Sequence, residues 1–427
     1  MNFCTVARLD SRGCQRCFLP SYGSHSFVQS GDTLVTIAAQ HNLCDKITNT
    51  NQRRNFTTIF TFVLIYGILQ KTEVNNMSQN SETYFWKKKE FLSFVLSILV
   101  FFIHSYFAQD YTSGNLVSII NHKTSFFFSQ SITQFAVPMF FMLSGISFFK
   151  GYSNNQYSRK MKSRFFSLVI PYLLWNTVWM LWGIITTYIS ESSVNISVTS
   201  VLKGIFFYGY YPPFWFMFNL IVFSFAAPLV FLIVKNKYVS LSVIVCLSIL
   251  SAFGIHLPQN LFYYPNSIIF YLIGATVGYH YFDFVCKKSS KTTQVVSVTF
   301  LFAYILAKNI IPQELYIDNY LTEVIIFTLC AFALWNTADI FIEKINPRAI
   351  YRRSFAVYAM HLNIALVVLK VLSALLPQSE LTEIPKFVIM IVLTLLIINL
   401  VCIFLERFLP KIYALFFGSR IIRATLR

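Results

Sequence analysis

The chain has 427 residues, of which 56% are hydrophobic and 12% are charged, against about 25% charged residues in an average soluble domain. This composition excludes an ordinary soluble enzyme. The net charge of +17 does not indicate a nucleic-acid-binding protein, because such proteins carry Lys and Arg on a continuous polar face, whereas long apolar segments separate them here. The composition predicts an integral membrane protein that crosses the bilayer several times.

Ten apolar segments follow residue 90. A helix that crosses a bilayer core of about 30 Å needs roughly 20 residues, and each segment is close to that length. The apolar runs are continuous rather than alternating, which favours helices over the strands of a barrel. We therefore predict an all-α bundle of about ten transmembrane helices, near residues 91–108, 126–149, 165–189, 214–234, 238–257, 261–281, 294–311, 320–342, 354–376 and 384–409.

Positive charges are distributed unequally between the two sides of this predicted bundle. The segment before the first helix, alternate loops and the C-terminal tail carry 22 Lys and Arg residues, and the loops on the opposite side carry four. The excess of Lys and Arg in membrane proteins lies on the cytoplasmic side. Both ends of the bundle are therefore predicted to be cytoplasmic. The four basic residues expected on the outer side are Lys123, Lys203, Lys308 and Lys386.

Residues 1–76 differ from the rest of the chain, because they are mostly polar and carry half of its eight cysteines. Cys14 and Cys17 form one CxxC, but without a second pair of matching spacing this is weak support for zinc binding, and no metal site is predicted. We interpret residues 1–76 as an N-terminal extension that is either untranslated or disordered. Residues 77–427 then form the transmembrane domain, with Met77 as the physiological start.

One histidine lies deep in the first predicted span. His104 is its fourteenth residue, so at 1.5 Å per residue it lies about 20 Å from the cytoplasmic end, beyond the midplane. Ionisable residues at this depth are costly and are functional candidates. His104 is either satisfied by a neighbouring helix or acts as a general base that removes a proton from a hydroxyl.

Further polar residues occur in the eighth and ninth spans. Ser354, Tyr358 and His361 fall on one helix face, so a polar stripe points into the bundle. This stripe is equally consistent with helix association and with a site. Glu323 and Asp339 lie near the ends of the eighth span, and we expect both at the membrane interface.

A basic cluster opens the third span. An isolated Arg164 would be read as an anchor that reaches the lipid phosphates, but together with Lys160 and Lys162 it forms a cluster suited to a phosphorylated cytosolic ligand. Pro171 follows within the same span. It should kink or locally unwind the helix and open backbone groups toward a cavity.

Aromatic residues are concentrated before the fourth span, on the side opposite the basic loops. Such clusters most often form an interfacial belt. Their flat apolar faces and polar tips would also suit a sugar ring, so both interpretations stay open. The cluster consists of Tyr208, Tyr210, Tyr211, Phe214, Trp215 and Phe216.

Six short motifs occur in register along the chain: Phe102-Ile103-His104-Ser105, Val137 to Gly145, Arg164 to Asn176, Phe214 to Met217, Phe270 to Gly274 and Ser354 to His361. With these motifs the chain resembles the membrane-bound acyltransferase 3 family over about residues 85–410. Members of this family O-acylate cell-surface polysaccharides and lipid-linked sugars. Two positions depart from the family pattern, because Phe94 and Ser167 stand where many members carry basic residues. A non-catalytic relative is the alternative that these departures leave open.

The resemblance implies a ten-helix enzyme with cytosolic acyl-CoA as co-substrate and no bound cofactor. We expect it in a plasma membrane, and we expect that membrane to be bacterial. The acyl group is expected to be acetyl, and nucleic acid is not an expected partner. His104 is the implied catalytic residue, and Arg164, with Lys160 and Lys162, the implied donor-binding group. Candidates for acceptor binding or structural support are Trp215, Tyr211, Asn176, Tyr358 and His361.

Two functions from different classes are consistent with these features. In the first, His104 deprotonates an acceptor hydroxyl, which attacks the acyl group either directly or through an acyl-histidine. In the second, the protein exports a polysaccharide or a lipid-linked sugar. Many transporters are built from internal repeats, and no clear repeat relates the two halves of this sequence, which favours the enzyme. A receptor or structural membrane protein would explain the helices but not the ordered motifs.

Overall fold

The computed structural model describes residues 79–105, 115–191, 197–255, 264–311, 320–342, 344 and 349–418. These residues form helices in the following order: α1 (Gln79–Ile103), α2 (Leu116–Phe149), α3 (Asn154–Ile189), α4 (Val198–Phe206), α5 (Pro212–Phe225), α6 (Ala227–Val234), α7 (Lys237–Ala252), α8 (Ser267–His280), α9 (Phe282–Cys286), α10 (Lys291–Ile310), α11 (Tyr320–Ile342), α12 (Ile350–Leu375), α13 (Glu380–Phe408) and α14 (Pro410–Phe417). The predicted extension at residues 1–76 lies outside the described residues.

Six helices of the described residues are long and apolar enough to cross a membrane: α2, α3, α10, α11, α12 and α13. The bent pair α5 and α6 makes a seventh if it is one span, and α7 and α8 are apolar but shorter. Helix α1 carries the run Lys87, Lys88, Lys89 and Glu90 in its first half. The fourth predicted span covers the pair α5 and α6, and each of the other nine overlaps one helix. The count of ten crossings and the placement of the ends stay predictions.

The bend between α5 and α6 follows from the sequence at their junction. Helix α6 begins Ala227-Pro228, and the two helices meet at 69°. Proline lacks the backbone N–H that would continue the helical ladder, and its ring clashes with the carbonyl four residues before, which here belongs to Ser224. The chain therefore turns at Ala226 and resumes as a new helix.

Helices α2 and α8 approach each other so closely that side chains cannot fit between them. A Cβ placed on Gly274 would lie 2.1 Å from the Met142 carbonyl oxygen, and one on Gly278 would lie 2.4 Å from that of Ile146. From the other side, a Cβ on Gly145 would lie 2.4 Å from the Tyr271 carbonyl oxygen. Gly274 and Gly278 form the GxxxG spacing that lets membrane helices pack backbone to backbone.

Replacing Gly274 with valine should separate α2 from α8 and reduce the amount of folded protein in the membrane. Overpacking a tight site typically costs about 1–3 kcal/mol, and the atoms in the way here belong to the backbone, which cannot turn aside. Gly209→Ala is the matched control, because its new Cβ would meet its nearest neighbour, the Lys203 carbonyl oxygen, at an ordinary 3.5 Å. Membrane levels and detergent melting temperature measure the effect. Equal levels of the two variants would contradict the close packing.

A buried ion pair joins α1 to α11 near the basic end of the bundle. The Lys88 ammonium lies 2.5 Å from an Asp339 carboxylate oxygen, and both side chains are fully buried. The hydroxyls of Tyr84 and Ser289 each donate to the same carboxylate at 2.6 Å, and the ammonium lies 4.3 Å from the ring of Trp335. The expected membrane depth of Asp339 stays a prediction. Its carboxylate is buried in the protein interior, where a cation and two hydroxyls compensate it.

Two further ion pairs tie helices together at this basic end. Lys150, just after α2, pairs with Glu82 near the start of α1, and this hydrogen bond lowers the pKa of the Glu82 carboxyl. Arg353 on α12 pairs with Glu406 on α13 at 2.6 Å and is itself buried. Charged residues at this end therefore connect neighbouring helices.

Candidate functional site

His104 lies directly after the end of α1. Its backbone N–H donates to the Phe101 carbonyl at 3.1 Å, and the Ser105 hydroxyl donates to the same carbonyl at 2.8 Å. The first predicted span continues to residue 108, whereas the helix ends at Ile103. His104 therefore leaves the helix in a turn held by hydrogen bonds, with a half-buried ring.

The structure brings the histidines of the first and ninth predicted spans together. The ring centroids of His104 and His361 are 5.4 Å apart, with the planes inclined at 33°. His361 lies on α12, which packs along α1, and its side chain is fully buried. The two candidates that the sequence offered separately are thus neighbours in one cluster.

The surroundings of His361 determine which of its ring nitrogens carries hydrogen. Nδ1 lies 3.1 Å from the carbonyl oxygen of Val357 and 2.9 Å from that of Tyr358. Carbonyl oxygens only accept hydrogen bonds, so we assign the hydrogen to Nδ1 and the lone pair to Nε2. Nε2 is buried and has no hydrogen-bond partner among the described residues. The His361 ring therefore offers an unused acceptor in the cluster that contains His104.

Two buried tyrosines hold α12 against the start of α5. The Tyr211 hydroxyl donates to the Tyr358 carbonyl at 3.1 Å and lies 3.4 Å from Nδ1 of His361. In the opposite direction, the Tyr358 hydroxyl donates to the Pro213 carbonyl. Both tyrosines are buried. Their contacts fix the part of α12 that carries His361.

Helix α3 completes the wall of this cluster. The Trp179 indole N–H donates to the Ala359 carbonyl at 2.9 Å, and its ring stacks on Tyr211 with centroids 5.5 Å apart and planes at 16°. Asn176, one turn earlier, is fully buried. Its amide lies beside the Tyr172 hydroxyl but makes no hydrogen bond of good geometry within the described part of the chain.

Trp179 is a residue of this cluster that the sequence analysis did not single out. The signal was present, because Tyr172, Asn176 and Trp179 stand at i, i+4 and i+7 and so share one helix face. Ser354, Tyr358 and His361 have the same spacing in the ninth span. Two polar and aromatic helix faces with one spacing, on α3 and α12, meet at this cluster.

Trp215 lies apart from the histidine pair. Its ring is 6.0 Å from Phe141 and 6.1 Å from Tyr264, and it is half-buried at the start of α5. No member of the predicted aromatic cluster is exposed, and Tyr211 and Phe214 are fully buried. The interpretation of these two as part of an interfacial belt is therefore wrong, because they are core residues.

The basic cluster occupies the start of α3. The Lys160 ammonium donates to the carbonyls of Phe148 and Lys150, the latter at 3.1 Å, so it satisfies the C-terminal end of α2. Lys162 is exposed. Arg164 is half-buried, its guanidinium lies 5.4 Å from the Phe148 ring, and it forms no ion pair with a carboxylate of the described residues.

Helix α3 connects this basic cluster with the histidine pair. A π-helical segment, Phe165–Val169, follows Arg164 directly, and Pro171 stands just after it. Single-turn π-helical segments are frequent at functional sites, and this one lies where the sequence predicted local unwinding. Trp179 comes fifteen residues after Arg164, which is about 22 Å along a helix. The candidate site thus has two parts, one basic and one histidine-containing, which are separated along α3.

Metal-ligating residues are not clustered in the described ranges: no group of three or more His, Cys, Asp or Glu is positioned there to hold a metal ion. The CxxC at Cys14 and Cys17 lies outside those ranges.

Comparison with known proteins identifies the family. Residues 52–402 match the family model described as the acyltransferase domain of type 3, and this region includes His104, Arg164 and His361. The chain belongs to the acyltransferase 3 family. The match begins 25 residues before Met77. No curated protein and no solved structure matches the chain.

Within the acyltransferase 3 family, this chain lacks a cation at two positions where many members are expected to carry one. Phe94 on α1 packs edge-on against the ring of Tyr351, with centroids 5.6 Å apart. Ser167 lies in the π-helical segment, and its backbone approaches Gly418, which has a φ of +60°. Arg164, which directly precedes the π-helical segment, is therefore the cation that remains at this part of the acyltransferase 3 protein.

Proposed function

We propose that the protein is an O-acyltransferase of a bacterial plasma membrane. It moves an acyl group, with acetyl favoured, from cytosolic acyl-CoA to a hydroxyl of a cell-surface polysaccharide or a lipid-linked sugar. Membership of the acyltransferase 3 family supports acyl transfer. The observation that carries the proposal is the contact between His104 and His361 inside the helix bundle.

The proposed reaction begins with proton removal. A ring nitrogen of His104 takes the proton of the acceptor hydroxyl, and the resulting alkoxide oxygen attacks the thioester carbonyl carbon. A new C–O bond forms, the C–S bond of the thioester breaks, and the CoA thiolate leaves. The proton held by the His104 imidazolium then passes to that thiolate, so His104 returns to its neutral form.

His361 acts in this proposal as a positioning residue. A neutral imidazole has one N–H and one lone pair, so a base must direct its lone pair at the substrate and its N–H elsewhere. Nε2 of His361 has no hydrogen-bond partner within the described ranges. The N–H of His104 can therefore be directed to it, directly after a small ring rotation or through a bridging water. A second group that orients a catalytic imidazole through its other nitrogen is a recurring arrangement in acyl-transfer enzymes.

In this proposal, acyl-CoA binds at the basic end of the bundle. Arginine binds phosphate oxygens through a planar fork of donors, and the Arg164 guanidinium has no carboxylate partner in the described part of the chain. We assign it to a phosphate of acyl-CoA, with the exposed Lys162 adding charge at the entrance. Lys160 has a second task, because its ammonium already holds the end of α2.

Inverted membrane vesicles test the function. Vesicles from cells that express the full chain should transfer label from acetyl-labelled acetyl-CoA to a glycan or lipid-linked sugar fraction, because the donor side then faces the medium. Mild alkali should release the label as acetate, which is the behaviour of an O-ester. Vesicles without the chain should not label that fraction.

A deletion strain separates the enzyme from the exporter. Loss of acetyl groups from a glycan that is still exported supports the acyltransferase. Retained acetyl groups on a glycan that stays inside the cell would contradict it and favour transport.

A further inference from the structure

Lys386 is a buried cation that has one long ion pair and no hydrogen bond among the described residues. Its side chain is 3% exposed, and its ion pair with Glu383 is long, at 3.7 Å. The ammonium donates no hydrogen bond within the described residues. Burying an ammonium is costly unless it is both paired and hydrogen-bonded, and this group has three hydrogens to donate. Glu383 pairs with this charge at a distance too long for a hydrogen bond, and the ammonium hydrogens have no acceptor among the described residues.

The position of Lys386 on its helix increases this cost. It stands in the first turn of the regular part of α13, Glu383–Phe408. The N-terminal end of a helix carries a partial positive charge that disfavours cations and attracts anions. Lys386 thus combines three unfavourable features: a buried charge, missing hydrogen bonds within the described residues, and a cation at a helix N-terminus. Such departures from local stability are expected at functional sites.

Lys386 lies at the same end of the bundle as the histidine pair. The ring of the next residue, Phe387, is 6.4 Å from the ring of Phe102, which precedes His104 by two residues. Phe387 and Phe101 belong to one buried apolar cluster, and the Phe101 ring is 5.6 Å from that of His361. The charge distribution predicts that this end faces outward, where an acceptor would arrive.

We propose that Lys386, with the first turn of α13, binds an anionic group of the acceptor, either a phosphate or a carboxylate. This inference rests on the proposed function and narrows its acceptor to an acidic glycan or a sugar linked to a lipid phosphate. The bound anion accepts hydrogen bonds from the ammonium, and the hydroxyl to be acylated reaches His104. Glu383 is one-third exposed, so its carboxylate can turn to solvent when the anion binds.

The nearby acidic residue Glu380 bonds to α2 and its N-cap residue, whereas the ion pair of Lys386 is with Glu383. The side-chain amide of Asn115 donates to the Glu380 carboxylate at 2.7 Å, and that of Asn121 donates to the Glu380 carbonyl at the same distance. These bonds tie the start of α13 to α2. The turn that carries Lys386 is therefore held in place before any ligand arrives.

Binding measurements with two matched pairs of probes test the proposal. The full chain is purified into phosphatidylcholine nanodiscs, and affinity is measured for farnesyl phosphate against farnesol and for methyl glucuronide against methyl glucoside. We expect the wild type to bind one anionic probe about tenfold or more tightly than its neutral counterpart, which corresponds to about 1.4 kcal/mol. A preference for farnesyl phosphate indicates a lipid phosphate, and a preference for the glucuronide indicates an acidic sugar.

Variants of Lys386 decide whether this residue causes the preference. In Lys386→Gln and Lys386→Met the preference should fall to about one, and Lys386→Arg should retain most of it. The matched control is Lys123→Gln, which removes an exposed charge from α2 on the same predicted side and should behave as wild type. No anionic preference in the wild type, or an unchanged preference in both neutral variants, would overturn the proposal. Binding needs no acyl transfer, so a wild type that binds the anion without transferring label separates this site from the proposed function.

Discussion

Replacing His104 with alanine should lower acyl transfer by about 10²–10⁴-fold, which is the usual contribution of a general base. The His104 side chain forms no hydrogen bond with the described residues, and its ring contact is with His361. The residue also follows the end of α1 rather than interrupting it. The substitution should therefore remove the proton acceptor while leaving the bundle folded and the protein level unchanged.

His122→Ala provides the matched control for this experiment. His122 is also a half-buried histidine on the predicted outer half of the bundle, but it lies on α2 and is not a member of the histidine pair. Its loss should change transfer less than twofold. Transfer is measured as alkali-labile label on the glycan fraction, normalised to protein in the membrane. Normal transfer by His104→Ala protein at wild-type levels would show that the base is another group.

Helix positions could be predicted from the sequence because the bilayer imposes a simple rule. Each predicted span needed about 20 apolar residues, and all ten fall on helices of the structure. The distribution of Lys and Arg added a predicted orientation that hydropathy does not contain. The positions of the apolar segments were therefore sufficient to predict most of the secondary structure.

Features that depend on contacts between distant segments could not be predicted in the same way. Asp339 stands near the end of its predicted span, and its burial in the protein interior depends on Lys88, whose ammonium lies 2.5 Å from the carboxylate. These residues are 251 positions apart, and the pattern of one sequence does not reveal such a pairing. The burial of Lys386 could not be predicted for the same reason, because it depends on how α13 packs against other segments.

The candidate site was predicted in pieces. The depth of His104 and the i, i+4, i+7 stripe of His361 were visible as separate signals, and each allowed a structural interpretation. The contact between the two rings favours a functional interpretation over a structural one. Burying two polar imidazoles in one cluster costs free energy, and packing alone does not require it. The stacking of Trp179 on Tyr211 likewise joins two segments whose proximity only the fold reveals.

Two substitutions of His361 should have different effects on His104, because the amide of each replaces a different hydrogen-bonding group of the imidazole. In His361→Asn the amide can still donate to the carbonyls of Val357 and Tyr358, but the acceptor at the Nε2 position is lost. We expect transfer to fall by about 10–100-fold, as for other groups that orient a catalytic or metal-bound side chain. In His361→Gln the longer side chain places an amide oxygen near the former Nε2, so transfer should stay within about fivefold of wild type.

The chemical reactivity of His104 provides a readout that a packing role would not change. An acceptor for the His104 N–H raises the nucleophilicity of its other nitrogen, so diethyl pyrocarbonate should modify His104 more slowly in His361→Asn than in His361→Gln or the wild type. Peptide mass spectrometry measures the rate, with the His122 peptide as an internal reference. Equal loss of transfer in both variants, with unchanged His104 modification, would mean that His361 only fills space. If acyl transfer and the rate of His104 modification both fall in His361→Asn but not in His361→Gln, His361 must act through the His104 ring. Neither the acyl donor nor the acceptor takes part in the reaction with diethyl pyrocarbonate, so an effect on their binding would not change the modification rate.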